Sequence, residues 1–186
     1  MIYETFNHNL HDVNKVASLV YDVDYRTFDM LFKDKQSAVK TIADDPPKRK
    51  TDDFFKVILD DDRNVIGVLI IYTSKTSHKF YFKSIRLLIV DILDHFVLCD
   101  IEEGDLYLAE IAIDPALRGQ GIGRKVVLDV IEYAKSKNYK RVTIDADFRN
   151  TGAKSLYERI GFKEFNKKRV KIGSFVRGMY NMEFNL

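Results

Sequence analysis

Cysteine is nearly absent from this chain. The single one, Cys99, excludes an internal disulfide, and no cluster with metal-ligand spacing surrounds it, so a reducing compartment is the natural reading. Proline (3) and glycine (9) are scarce among 186 residues, which excludes collagenous and low-complexity chains. An excess of one charge is also missing. The 30 basic and 28 acidic residues leave a formal net charge of +2, a balance that demands neither nucleic acid nor an anionic membrane. Long hydrophobic runs are lacking: the most apolar stretch, residues 85–98, is interrupted by Arg86, Asp91, Asp94 and His95 and is too short to span a bilayer. The opening Met1-Ile2-Tyr3-Glu4 carries neither a basic nor an apolar leader segment, so a cytoplasmic protein is expected.

What is present suits one globular domain over residues 1–186: 46% hydrophobic and 31% charged residues, at a length that can bury a real core. Val13, Val16, Ala17 and Val20 predict a first amphipathic helix over 10–23, followed by a short apolar patch at 28–32 and a second helix over 37–43. Asp44-Asp45-Pro46-Pro47 stops that helix and opens a loop over 46–53. Residues 54–59 and 65–72 read as a β-hairpin around a turn at 60–64. Tyr81, Ile85, Leu88, Ile89, Ile92 and Phe96 match a helical stripe over 80–98. Then come a strand at 106–113, a helix at 124–137 ending near Asn138, a strand at 141–146, a helix at 151–160 stopped by Gly161, and antiparallel strands at 162–171 and 175–184. The expected fold is therefore mixed α/β.

The informative stretch is Arg118-Gly119-Gln120-Gly121-Ile122-Gly123, between a strand and a helix. Glycines there let the backbone take positive φ and approach a ligand closely. The helix behind offers unpaired N–H groups and the positive end of its dipole, and Arg124 and Lys125 add charge. Such a turn suits a phosphate or pyrophosphate. A dinucleotide fingerprint fails, because Val126 stands three residues after Gly123, and a Walker loop fails, because Arg124-Lys125 follows Gly123. A tight turn with no ligand is the plain alternative.

Arg118-x-x-Gly121-x-Gly123 resembles the acetyl-CoA pyrophosphate loop of the GNAT-type N-acetyltransferases, whose pattern is Arg/Gln-x-x-Gly-x-Gly/Ala. A second segment, Asn150-x-x-Ala153-x-x-Leu156-Tyr157-Glu158-x-x-Gly161-Phe162, is similar to a later motif of the same family. The resemblance covers residues 106–162, the expected acetyl-CoA core. Residues 1–105 follow the family only in their helix, helix, hairpin order. The resemblance implies a largely antiparallel central sheet flanked by helices, and transfer of an acetyl group from acetyl-CoA to a primary amine by direct attack in a ternary complex.

Carried onto this sequence, the resemblance places the pantetheine arm against the backbone of Ile111, Ala112 and Ile113. It seats the pyrophosphate on the amides of Gly119, Gln120, Gly121, Ile122, Gly123 and Arg124 beside Arg118, and gives Asn150 a pantetheine hydrogen bond. Asn150 also suits a helix N-cap. Tyr157 matches the family's general acid, although Ala153, Leu156 and Ile160 share its helical face and would equally make it a core aromatic. Glu110 is the candidate base, with Tyr107 on the opposite strand parity and Glu102, Glu103 and Asp105 just before the strand as competitors. His8, His11, His78 and His95 form no metal or triad spacing, so no metal is expected. Two other readings stand beside this one: a non-catalytic acyl-CoA-binding module, and a nucleic-acid binder using Lys163, Lys167, Lys168, Arg169 and Lys171. The near-neutral chain and the lack of interleaved aromatics argue against the latter. A homodimer is compatible with the sequence.

Overall fold

The computed structural model describes residues 1–23, 25–44, 54–76, 92, 95–173 and 175–186. They group into two units. The first takes in Met1–Ile71 and Glu110–Gly123; the second takes in residues 95–109 and Arg124–Leu186.

In the first unit, β1 (Ile2–Thr5), β2 (Phe55–Leu59) and β3 (Val65–Tyr72) pair antiparallel, with a register shift at Ile58/Leu59. The β2–β3 turn closes because Asp60 accepts the Asn64 N–H at 2.8 Å across the loop. β3 is buried along Ile66–Ile71, a β-branched run suited to a covered strand. Helix α1 (Val13–Val23) begins behind Asp12, which accepts the Lys15 N–H at 2.9 Å. Asp34 does the same for Ser37 at 2.8 Å ahead of α3 (Lys35–Asp44); such caps each contribute about 1 kcal/mol. Between them the apolar patch at 28–32 forms α2 (Tyr25–Leu31). Tyr21, Phe28, Phe32 and Ala38 are the buried cluster these helices share. Neither β1 nor α2 was readable as an element, since four and seven residues are too few to show a period.

β4 (Asp105–Ile113) is common to both units. Its tail belongs to the first, where a Cβ on Gly67 of β3 would come within 2.7 Å of the Ala112 carbonyl oxygen. Only glycine permits that approach. In the second unit the head of β4 runs parallel to β5 (Arg141–Asp147), from Asp105↔Arg141 to Leu108↔Ile144. β5 continues beyond that ladder, antiparallel to β7 (Phe175–Asn185), as far as Asp147↔Met179. β6 (Lys163–Ile172) pairs antiparallel with β7.

Helix α4 (Ile122–Ser136) buries Val126, Val127, Val130, Ile131 and Ala134, the stripe expected from 3.6-residue periodicity. Asn138 ends it at φ 57°. α5 (Thr151–Ile160) keeps its expected bounds, capped by Asn150 and ended by Gly161 at φ 117°. The seven strands form one mixed sheet in the order β1-β2-β3-β4-β5-β7-β6, largely antiparallel and flanked by helices, as the resemblance implied. The loop expected at 46–53 and most of the helix expected at 80–98 lie outside the described residues, as does His78. Within that helix, Ile92 and residues 95–97 are helical.

Candidate active site

The glycine turn is assembled from consecutive residues. Asp114 caps a 3-10 turn at Pro115–Leu117 by accepting the Ala116 N–H at 2.9 Å, and Lys15 of α1 reaches the same carboxylate. The chain then passes Arg118 into Gly119 at φ 80° and Gly121 at φ 79°, where any other L-residue would cost about 1–2 kcal/mol. α4 starts at Ile122, two residues before the sequence suggested. The correction has a simple cause: Ile122 and Gly123 are weak helix formers, but a first turn needs no intrahelical N–H partner. The amides of Ile122, Gly123 and Arg124 are thus first-turn donors.

A Cβ built on Gly119, Gly121 or Gly123 meets nothing within 4 Å. At Gly123, where φ is not positive, neither backbone strain nor a protein neighbour asks for glycine. Backbone donors of a helix's first turn beside unobstructed glycines suit a phosphate group. Arg118, Gln120 and Arg124 are exposed beside them. On the β4 tail, Glu110, Ile111 and Ile113 are half-buried and Ala112 is buried.

The second unit holds Asn150, Tyr157 and a cluster the sequence did not reveal. Asn150 is an N-cap, its side chain accepting the Ala153 N–H at 3.0 Å. Tyr157 is buried, with its ring 5.9 Å from that of Phe162. Burial, and then the charge of Asp145, push its pKa up to about 12, so the phenol keeps its proton. Asp145 is the half-buried centre of the cluster. Its Oδ2 accepts the Tyr107 hydroxyl at 2.8 Å and the Cys99 N–H at 3.0 Å. Its Oδ1 accepts the Asn181 amide, which also donates to the Val97 carbonyl at 3.2 Å. Burial raises the Asp145 carboxyl above the usual range, opposed by those three donors and by the Cys99 thiol. Burial and Asp145 together also raise the Cys99 thiol, so Cys99 is not a thiolate nucleophile.

The remaining acidic competitors sort themselves by contact. Asp105 is 2% exposed and takes two bonds from the Arg141 guanidinium, at 2.7 and 2.9 Å. Breaking such a pair costs about 3–5 kcal/mol, so Asp105 is a structural group. Glu102 is exposed and pairs with the same Arg141 at 3.1 Å, and Glu103 is exposed. Tyr107 donates to Asp145 and so acts as a donor. The basic stretch on β6 is partly spent as well: Lys168 binds the Leu98 carbonyl and Asp100, both at 2.9 Å, and Lys167 pairs with Glu164 at 3.2 Å.

One signal for Asp145 was present. Val142, Ile144 and Ala146 alternate with Thr143, Asp145 and Asp147, an unusual acidic stripe in a strand flanked by others. Its partners Tyr107 and Asn181, 38 and 36 residues away, had no local signature. Among the described residues, no group of three or more His, Cys, Asp or Glu is placed to hold a metal ion, and no helix is long and apolar enough to cross a membrane.

Comparison with known proteins bears on the family and the fold. The model of the acetyltransferase (GNAT) family matches residues 19–162, most of the chain. An uncharacterized N-acetyltransferase of Methanocaldococcus jannaschii is 38% identical over 76 residues, 37% of this chain and 34% of that protein. A mycothiol acetyltransferase of Rhodococcus erythropolis is 36% identical over 67 residues, 36% of this chain and 22% of that one. The chain thus spans about a third or less of the length of these relatives. Among solved structures, a ribosomal-protein-alanine N-acetyltransferase from Brucella melitensis is similar over 100% of both chains, with a TM-score of 0.61 at 15% identity. At that identity the likeness speaks for the fold. The chain belongs to the GNAT acetyltransferase family.

Proposed function

We propose that the protein is an acetyl-CoA-dependent N-acetyltransferase acting on a primary amine of a small molecule or a protein by direct attack in a ternary complex. One observation carries the reading: Gly119, Gly121 and Gly123 lead into the first turn of α4 with no atom within 4 Å of a would-be Cβ. Acetyl-CoA supplies the acetyl group as a thioester. Gly119, Gln120, Gly121, Ile122, Gly123 and Arg124 hold the pyrophosphate through backbone N–H groups, with Arg118 adding positive charge. Ile111, Ala112 and Ile113 offer backbone groups to the pantetheine amides. Since the Ala112 carbonyl lies against Gly67 of β3, alternation along the strand gives the opposite edge to Ile111 and Ile113. Asn150 adds a hydrogen bond from its amide.

The chain's own groups then handle two protons. An ammonium has no lone pair, so a base must take its proton before attack, and Glu110 and Asp145 are the carboxylates that compete for that role. Tyr157, held protonated by burial, gives its proton to the departing thiolate. No covalent enzyme intermediate is needed.

The test is release of free CoA from acetyl-CoA in the presence of a panel of primary amines, polyamines, aminosugars and peptide N-termini, with acetylated products identified by mass spectrometry. Turnover of one class supports the reading. Tight CoA binding without turnover of any class would assign the chain to acyl-CoA binding alone. Absence of both would remove the acetyl-CoA reading.

A further inference from the structure

We propose that Asp145, and not Glu110, is the group that takes the proton from the acceptor amine, with Tyr107 and Asn181 as the residues that position it. The proposal rests on the acetyltransferase reading and adds to it the proton acceptor.

Position is the first argument. The parallel β4–β5 ladder ends at Leu108↔Ile144, while β5 goes on along β7. Asp145 is the first β5 residue past that end. The second argument is nearness to the acid. The sulfur that leaves and the nitrogen that attacks share one carbonyl carbon, so proton donor and proton acceptor must lie close together. The charge that acts on the Tyr157 hydroxyl is that of Asp145. The third is orientation. Tyr107 and the Cys99 N–H hold Oδ2 while Asn181 holds Oδ1, which fixes the carboxylate plane. These three donors and the Cys99 thiol, a weak donor bonded to the same carboxylate, hold both oxygens. Tyr107 is itself 2% exposed and is placed to hold Asp145 rather than to meet the amine.

The step balances. The ammonium N–H bond breaks and its proton passes to an Asp145 oxygen, giving a neutral amine and a neutral carboxylic acid. The amine lone pair then forms the C–N bond as the C–S bond breaks, and Tyr157 protonates the sulfur. Neutralising Asp145 withdraws the charge that helps hold Tyr157's pKa up at about 12. Proton uptake at one residue therefore makes the other a better acid at the moment a donor is required.

The groups facing Asp145 are Tyr107 from β4, Cys99 from residues 95–100, Asn181 from β7 and Tyr157 from α5. Lys168 of β6 lies near Cys99, and Asp147, next on the same strand face, is tied to Arg149 at 2.7 Å. Burial raises the Asp145 carboxyl, and the three donors together with the Cys99 thiol lower it. Removing a donor must therefore raise it further and move the acidic limb of the rate profile to higher pH.

The experiment compares pH profiles of kcat/KM for Asp145→Asn, Tyr107→Phe and Glu110→Gln, alongside an NMR titration of ring-labelled tyrosines. Asp145→Asn should lose about 10²-fold at neutral pH, with the loss shrinking at alkaline pH as unprotonated amine accumulates, and Tyr157 should titrate at lower pH. Tyr107→Phe should keep most of its plateau rate while its acidic limb moves up. Should Asp145→Asn fail to fold, Tyr107→Phe carries the test by itself. The alkaline-recoverable loss appearing in Glu110→Gln instead, or an unmoved limb in Tyr107→Phe, overturns the proposal. The tyrosine titration needs no turnover. A wild-type protein without activity but with Tyr157 coupled to Asp145 would therefore count against the acetyltransferase reading and for the pairing, and an uncoupled Tyr157 would count against the pairing.

Discussion

The glycine turn draws its backbone donors from the consecutive residues Asp114 to Arg124, whereas the Asp145 cluster draws Tyr107, Cys99, Asn181 and Tyr157 from four separate stretches of chain. The turn works with main-chain groups and needs side chains to be absent. The cluster works with side chains and needs them held by one another. A backbone device is set by local conformational preference, so it survives change around it as long as the glycines stay. A side-chain device depends on strand register: a one-residue slip of β5 against β7 would turn Asp145 away from Asn181. The two regions should therefore break in different ways.

The largest effect is expected in the turn. Gly123→Glu places an anionic side chain on the first turn of α4. Gly123 has no positive φ and no atom within 4 Å of its would-be Cβ, so the fold should tolerate the change. Like-charge juxtaposition costs several kcal/mol, so CoA affinity should fall by about 10³-fold or more at roughly 1.4 kcal/mol per tenfold. Calorimetric titration with CoA and a thermal melt decide it. Unchanged affinity in a folded variant would show that the turn is only a tight connection, and the contrast between the two regions would lose one side.

That same locality explains what the sequence made legible. Positive φ at Gly119 and Gly121, the strand before them and the apolar stripe of α4 after them all leave marks within a few residues. The Asn150 cap and the Gly161 stop did the same for α5. Asp105 shows the opposite case. As a residue in an acidic run before a strand it read as a possible proton acceptor, and only Arg141, 36 residues on, turns it into half of a structural ion pair. Tyr107 likewise stood as a competitor for the base until its hydroxyl was seen to donate to Asp145. Contacts of this range carry no periodicity, and pairing of β5 with both β4 and β7 had to be known before any of them followed.

On the side-chain half, Tyr157→Phe gives the next effect in size. The substitution keeps the ring packed on Phe162 and removes only the hydroxyl. A thiol of ordinary pKa, near ~8.5, leaves with modest help, so the general-acid contribution should sit at the low edge of its range, a kcat loss of about 10²-fold or roughly 2.7 kcal/mol. CoA affinity and melting temperature should hardly change. Because burial and Asp145 raise the Tyr157 pKa to about 12, the wild-type rate should lose no proton donor at moderately alkaline pH. Stopped-flow or steady-state CoA release across pH measures both points. A variant with full kcat would make Tyr157 a packing residue and confine the chemistry to the amine side.

The smallest effect is expected at Asn150, where a backbone role and a ligand role coincide. Its side-chain oxygen caps α5 by accepting the Ala153 N–H at 3.0 Å, while its amide is the group assigned to pantetheine. Asn150→Ala removes both and should cost about 1 kcal/mol of stability as well as CoA affinity. Asn150→Ser separates them. Serine caps a helix about as well as asparagine, so melting temperature should return to near wild type. It has no amide and is a bond shorter, so a hydrogen bond to pantetheine should stay lost. At about 0.5–1.5 kcal/mol for such a bond, CoA should bind roughly 2- to 12-fold more weakly to the serine variant than to wild type. Thermal melts paired with CoA titrations on the two variants read the two roles separately. If serine restores affinity together with stability, Asn150 serves the helix alone.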